Sequence, residues 1–387
     1  MFDDTPSPTE LEAASDADLV AAVAEVVRIP RREPASSFVL HAPLELAARA
    51  ALLPRVAPSA RRAARQRLIE LATRFDRAGE PLDEPSPGDL RSARTAAARL
   101  RDAIDAGDLD DVDATATWLA RVASPRELRA LLADTLVPRL AAAAHAPIFL
   151  YLLPRVSPRG ELTGELLRPL ARELARHPDW RITWPERACW AAHSTDPVDA
   201  ADLWSAIAAT PRLGIPGSDF VYPIMAQVDC ADVAGDLLGD VVGGVDARTA
   251  GRTILRAAAR SMIDEPTHHA PYGWSHALTL PQAVLGVADD CRDPVVPVAV
   301  AATFLVGFRA ALGATALRPD EPVPVPPESV TELVTYAATH TDAHLVKYTL
   351  ACLDAAAWDR PRTGLYLSAA AHLGRCWRHQ LAESTTA

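Results

Sequence analysis

The sequence predicts an all-α fold: one large domain of many short, alanine-rich helices with long proline-rich connections. Three observations predict it. Alanine-rich stretches place apolar residues at three- and four-residue steps, the period of an amphipathic helix. Runs of alternating β-branched residues are few. Proline and glycine clusters such as "AGEPLDEPSPGD" and "LRPDEPVPVPPE" punctuate the periodic segments.

The elements follow in order. Helical periodicity appears in "DADLVAAVAEVVRI" from Asp16 and "SARRAARQRLIELATRF" from Ser59. It continues in "LRSARTAAARLRDAIDAG" from Leu90, "PRELRALLADTLVPRLAAAA" from Pro125 and "ELLRPLARELARH" from Glu165. In "PPESVTELVTYAA", Ser329 with Glu332 three residues on reads as a capping box, and the helix it opens ends near His340. Thr341 or Asp342 then caps a further helix carrying His344 and Lys347. The domain runs from 16 to 380, between an acidic flexible tail at 1–15 and a short flexible tail at 381–387.

A chain of 387 residues holds one large helical domain or two to three smaller ones, and 49% hydrophobic residues suffice for a sizeable core. A net charge of −11 with no basic stripe argues against nucleic acid and anionic membranes as partners. The acidic start, "MFDDTPSPTELEAASD", is unlike a secretory signal. The longest apolar runs, Leu140–Pro154 and Val295–Phe308, fall short of the roughly 20 residues of a membrane-spanning helix. A soluble, cytoplasmic protein is expected, as monomer or homodimer. Cys189, Cys230, Cys291, Cys352 and Cys376 are scattered without CxxC spacing and read as buried thiols.

Chemistry-bearing residues concentrate in the histidines. His41, His145, His276 and His344 sit in apolar helical sequence, whereas His177, His193 and His379 have polar neighbours and read as surface residues. In "HAPLELAARAALLPRV", "HAPIFLYLLPRV" and "HAPYGWSHALTLP" a histidine heads an apolar helix, at no fixed period. Buried imidazoles need partners, and four of them on separate helices suit a metal as well as they suit hydrogen-bonded core positions.

Lys347 is the single lysine among 39 basic residues. A G+C-rich composition exchanges lysine for arginine where charge alone matters, so the survivor is either a product of drift or a position that needs a deprotonatable amine. His344 and Lys347 are three residues apart, on one helix face and about 4.5 Å apart along the axis. A neutral amine there reacts with carbon dioxide and becomes a carbamate, an anionic ligand. The bland alternative is a lysine snorkelling to solvent or pairing with Asp342. Tyr272, Trp274 and Tyr348 offer faces for a planar substrate or are core. Asp342 orients an imidazole or only caps its helix.

The stretch "AATHTDAHLVKYTLACLDAAAWD" resembles the C-terminal H-x-D-x-H-x-x-K motif of the questin oxidase-like family, carried here by His340, Asp342, His344 and Lys347. "HALTLPQAVLGV" from His276 is similar to that family's HAxTxPxA helix, and the blocks at His41 and His145 resemble its two upstream histidine helices in the same order. Ala343 and Thr341 stand where relatives often carry glutamate and glycine. The resemblance implies a non-haem Fe(II) centre held by His41, His145, His276, His344 and carboxylated Lys347, with His340 and His269 in reserve. It implies an O2-dependent oxygenase that breaks a ring C–C bond of an aromatic polyketide or anthraquinone-type molecule. Lys347, His344, Asp342 and Tyr272 would then form the catalytic group.

Other readings stay open: a metal-free helical scaffold with core histidines, an NADPH-dependent Baeyer–Villiger-type oxidase, or a zinc or nickel hydrolase on a carbamylated lysine. No glycine-rich dinucleotide fingerprint supports the second, and no HxH on a strand supports the third.

Overall fold

In a computed structural model describing residues 14–32, 37–86, 90–156, 164–187, 199–218 and 220–386, the periodic segments fold as helices. The first part holds α1 (Asp16–Val27), α2 (Ser37–Leu52), α3 (Arg61–Asp76), α4 (Ala93–Ala106), α5 (Leu109–Val122) and α6 (Pro125–Leu136). The middle holds α7 (His145–Val156), α8 (Leu167–Arg176), α9 (Trp184–Arg187), α10 (Ala200–Ala208), α11 (Val221–Cys230) and α12 (Val233–Val242). The last part holds α13 (Ala247–Asp264), α14 (Ser275–Gly286), α15 (Val295–Leu312), α16 (Val330–Thr339), α17 (Ala343–Trp358) and α18 (Thr363–Thr386). No strand forms among the described residues; β-type pairing is limited there to isolated bridges at Arg31–Pro81 and Arg139–Arg181.

Local chemistry sets the boundaries. Ser92 caps α4, and Gly107 ends it in a left-handed conformation (φ 70°) that a β-carbon disfavours. Capping boxes open α6 (Ser124 with Glu127) and α16 (Ser329 with Glu332). Asp342 caps α17, which decides between the two candidates for that break. The helix expected through "PRLAAAA" stops at Leu136 instead. Ala142, Ala143 and Ala144 then take φ of 54°, 51° and 58°. Left-handed backbone costs an L-residue roughly 1–2 kcal/mol each, so this turn is held by the packing around it. At the other end, α18 continues helically to Thr386, into the segment read as a tail.

One continuous hydrophobic core extends from Leu19 to Cys376. Its centre is a closed ring of four helices: α2 packs on α7, α7 on α14, α14 on α17, and α17 back on α2. Helices α13, α15 and α18 flank that ring. Helix α15 is apolar all round and runs four residues beyond the apolar run read from the sequence. It is long and apolar enough to cross a membrane, and 83% of it is buried in this core. The thiol expectation needs correction. Cys352 and Cys376 are buried and Cys291 is partly so, but Cys230 is exposed at the end of α11. Cys189 and His193 lie outside the described residues.

The proline-rich connection after α15 lies directly against α18. A β-carbon on Gly364 would stand 2.4 Å from the Val323 carbonyl oxygen. Gly364→Ala is expected to lower stability by about 1–3 kcal/mol through overpacking, whereas Gly374→Ala, with only the Tyr336 ring at 3.5 Å, leaves it level or higher. Urea midpoints of the two variants check this. Ala143→Gly relieves left-handed strain and loses part of the gain to backbone entropy, for a net rise of about 0.5–1 kcal/mol. A lower midpoint for Ala143→Gly would contradict the strained turn.

Candidate metal centre

The ring of helices gathers side chains that lie up to 306 positions apart, from His41 to Lys347. His145 is the first residue of α7, and His276 and His344 are the second residues of α14 and α17. His41 differs, lying one turn inside α2. A helix's first turn carries partial positive charge, which disfavours imidazolium and keeps a histidine neutral.

The donor atoms converge. The ligand nitrogens of His41, His145 and His276 all lie within 4.8 Å of one another. His344 Nε2 is 3.2 Å from His41 Nε2, and Lys347 Nζ is 3.5 Å from His145 Nε2. The His41 ring centroid is 4.3 Å from that of His145 and 4.8 Å from that of His344, and the His276 centroid is 4.9 Å from that of His344. Two imidazole nitrogens trans across a metal with bonds of about 2.1 Å stand about 4.2 Å apart. His41, His145 and His276 are thus close enough for one cation to be held between them.

Hydrogen bonding sets the tautomers. Nδ1 of His344 meets Asp342 Oδ1 at 3.0 Å, and that oxygen also accepts the His344 backbone N–H at 2.7 Å. Asp342 thus caps the helix and orients the imidazole with the same atom. Nδ1 of His276 donates to the Tyr272 carbonyl, an acceptor only. Both histidines therefore carry the proton on Nδ1 and turn an Nε2 lone pair to the cluster, the arrangement that ligating histidines adopt. His145, wholly buried, has no partner for Nδ1 among the described residues.

Burial sets the charges. It holds His145 and His276 well below the ordinary imidazole range, with the neighbouring positive groups adding to the effect. Burial and then Lys347 lower His344, against the pull of Asp342. Burial brings the Lys347 amine down to about 7, although Asp342 and Glu45 favour its charged form. Burial raises the Asp342 carboxyl, but the hydrogen bonds from His344 outweigh it and the group stays below its usual value. Burial thus weakens His145, His276, His344 and Lys347 as bases, with the Asp342 carboxylate beside them.

The remaining candidates fall elsewhere. His340 caps the end of α16, its Nδ1 accepts the Asp342 backbone N–H at 3.0 Å, and its ring lies between Tyr336 and Trp377. His344, not His340, joins the cluster. His269 ends a 3-10 turn with its ring against His268 (centroids 4.0 Å apart). Tyr272 is 54% exposed, and its ring meets His344 edge-on. Trp274 and Tyr348 are wholly buried, which removes them as substrate-stacking faces, because α14 and α17 turn those positions into the core. His177 is half-buried against Trp180, and His379 is exposed.

Sequence reasoning missed Arg49 and Glu45. The buried Arg49 bonds Glu45 at 2.8 Å through Nε and donates to the carbonyls of Ala338 and His340, each at 2.8 Å. It thereby ties α2 to the break between α16 and α17 that presents Asp342. Glu45 stands one turn after His41, a spacing the sequence displays, but nothing in the sequence says that an arginine one turn further on reaches across to residue 340. Comparison with protein-family models, curated proteins and solved structures finds no match to this chain.

The metal-free chain has a defined pH response. Lys347 binds its proton near 10.5 when unfolded and near 7 when folded. The unfolded chain then holds more protons in that window, so stability rises with pH. The depressed histidines act with the same sign as pH falls below about 6.5. Between pH 7 and 8.5, wild type should gain about 1–2 kcal/mol that Lys347→Met does not gain. The comparison stops at pH 8.5, because the buried thiols Cys352 and Cys376, raised by burial, act with the opposite sign above it. Equal slopes of urea midpoint against pH in the two proteins would refute a buried, depressed Lys347.

Proposed function

We propose that this chain is a non-haem iron-dependent oxygenase that opens a ring of an aromatic polyketide or anthraquinone-type substrate with O2. The observation that carries the proposal is the convergence of His41, His145, His276 and His344 with the single lysine, from four helices, at one buried point. Of the residues that resemble the questin oxidase-like motifs, His41, His145, His276, His344 and Lys347 meet there, while His340 lies against Trp377. That agreement supports the reading because the motif blocks are far apart in the chain.

The donor set fits a metal. The Nε2 atoms of His41 and His344 face each other at 3.2 Å, and the second bears a lone pair. Without a metal, His41 Nε2–H donates a hydrogen bond to His344 Nε2 across that gap; a bound cation would take the lone pairs of both. His41, His145, His276 and His344 would hold Fe(II), and Lys347 would supply an oxygen ligand after carboxylation. In that step the neutral amine attacks carbon dioxide, an N–C bond forms and a proton leaves, which converts a potential cation into an anion. Iron held by these residues would supply the electrons that make dioxygen reactive toward an electron-rich ring.

The protein's own groups do the rest. Asp342 holds His344 by Nδ1–H, and the Tyr272 carbonyl holds His276. His145 and Lys347 are buried, and His41, His276 and His344 are half-buried. The exposed Tyr272 hydroxyl, pushed up to about 12 by burial and by Asp342, stays protonated at the solvent side of the cluster and points to Asp342 Oδ2 at 3.4 Å.

Elemental analysis of protein purified without chelator or affinity-tag metal tests the proposal. About one iron per chain is expected in wild type, with loss in Lys347→Met and His276→Ala at unchanged helicity. Hydroquinone-dependent O2 uptake should disappear with the iron. A folded wild type that contains no metal and takes up no Fe(II) leaves the His41–His344 contact as a core hydrogen bond and the chain as a helical scaffold.

A further inference from the structure

A cavity lies at the far end of the helices that build the cluster. His276 is the second residue of α14 and Gly286 its last, while α17 carries Lys347 near its start and ends at Trp358. The far ends stand about 15 Å along the helix axes from those side chains. There α13 packs against α14. Residues of α13, of the end of α14 and of the end of α17 border a half-open cavity of about 450 Å³, a size typical of small-molecule sites.

The lining combines an apolar surface with one unmatched cation. Leu255, Leu285 and the partly exposed Trp358 supply the apolar part. Gly286 lets Trp358 lie close to the backbone of α14: a β-carbon there would stand 2.4 Å from the Tyr151 ring and 3.0 Å from Trp358 Cη2. Arg252 is half-buried in the wall. Its Nη2 donates to the Trp358 carbonyl at 3.3 Å, its Nε is buried without a hydrogen-bond partner among the described residues, and it forms no ion pair there. Arg256, one turn on, is the contrast. It bonds Asp359 at 2.6 and 2.8 Å and Asp320 at 2.8 Å. Both oxygens of Asp359 are thereby taken, and one also accepts the Tyr366 hydroxyl at 3.1 Å. Asp359 lines the cavity with its charge already matched, whereas the Arg252 guanidinium, which cannot lose its proton, has no anion beside it.

We infer that this cavity binds a monoanionic carboxylate with an apolar tail, the two oxygens on the Arg252 guanidinium and the tail along Leu255, Leu285 and Trp358. A guanidinium presents parallel N–H donors that match the two oxygens of a carboxylate. The leucines and the indole remove the tail from water. Asp289, exposed at the rim, and Asp359 in the wall oppose a second negative charge and so disfavour a phosphate monoester. An ammonium group would meet Arg252 and, at the rim, Arg248. The site is separate from the histidine cluster and does not rest on the oxygenase reading.

Isothermal titration of the full-length protein with octanoate tests the inference, with octanol, octylamine and octyl phosphate as companions. Octanoate should bind one to one, and each companion at least tenfold more weakly. Arg252→Met removes the charge, and Arg252→Gln removes it while keeping a donor for the Trp358 carbonyl; both should weaken octanoate binding tenfold or more. Arg248→Met, at the exposed rim, should stay within fivefold of wild type. A carboxylate could also ligate a metal, so His276→Ala is titrated alongside and should bind octanoate as wild type does. Helicity is checked in each variant; if Arg252→Met loses it, Arg252→Gln and the four ligands on wild type still decide. Octanol binding as tightly as octanoate would reduce the cavity to an apolar patch. Octyl phosphate binding more tightly would overturn the monoanion assignment. Undiminished binding in both folded Arg252 variants, or loss of binding in His276→Ala, would place the carboxylate elsewhere. No octanoate binding by wild type would leave Arg252 as a cap on the end of α17.

Discussion

The structure depends on accommodating histidines and one lysine in a helical core as weakened bases: burial depresses His145, His276, His344 and Lys347 alike. Unpaired buried cations are among the most expensive groups a fold can contain. The ring of α2, α7, α14 and α17 accommodates His145, His276, His344 and Lys347 because burial makes each a weaker base. Three of the four histidines stand in the first turn of a helix, where the backbone's own field opposes protonation. An arginine at position 347 would remain charged and would not be tolerated beside His145. The lone lysine is therefore a consequence of electrostatics in this core as well as a ligand candidate.

Precision in the cluster comes from two outer devices. Asp342 uses one oxygen for both the α17 backbone and the His344 ring, so the cap and the imidazole cannot move independently. Arg49 and Glu45 then fix the segment before that cap, since the guanidinium bonds carbonyls at the end of α16. Before His145, the three left-handed alanines turn the chain sharply into α7. Such strain persists only where surrounding packing over-determines it, and it commonly lies next to functional residues.

Most of the fold was legible in local sequence. Helical period, the Ser329–Glu332 box and the break near His340 all follow from interactions within a few residues of the chain. The misreadings share a physical origin. "PRLAAAA" has the intrinsic preference of a helix, yet the backbone leaves the helix at Leu136 and takes a turn that propensity disfavours. Trp274 and Tyr348, which the sequence left open between a substrate face and the core, lie in the core. Arg49 was invisible because its partners at Ala338 and His340 are nearly the whole chain away.

The sequence by itself determined which residues are chemically able to form the site: four histidines in apolar helices, and one amine where every other basic group is a guanidinium. These are properties of composition and short-range period. It also determined that Asp342 or its neighbour begins the last site helix, because capping is a local hydrogen bond. Only the tertiary structure decided that α2, α7, α14 and α17 close on one another, that His344 enters the cluster while His340 turns to Trp377, and that Nε2 is the atom each of His276 and His344 presents. Those outcomes depend on long-range packing and on partners contributed by other helices, and no pattern along a single helix encodes them.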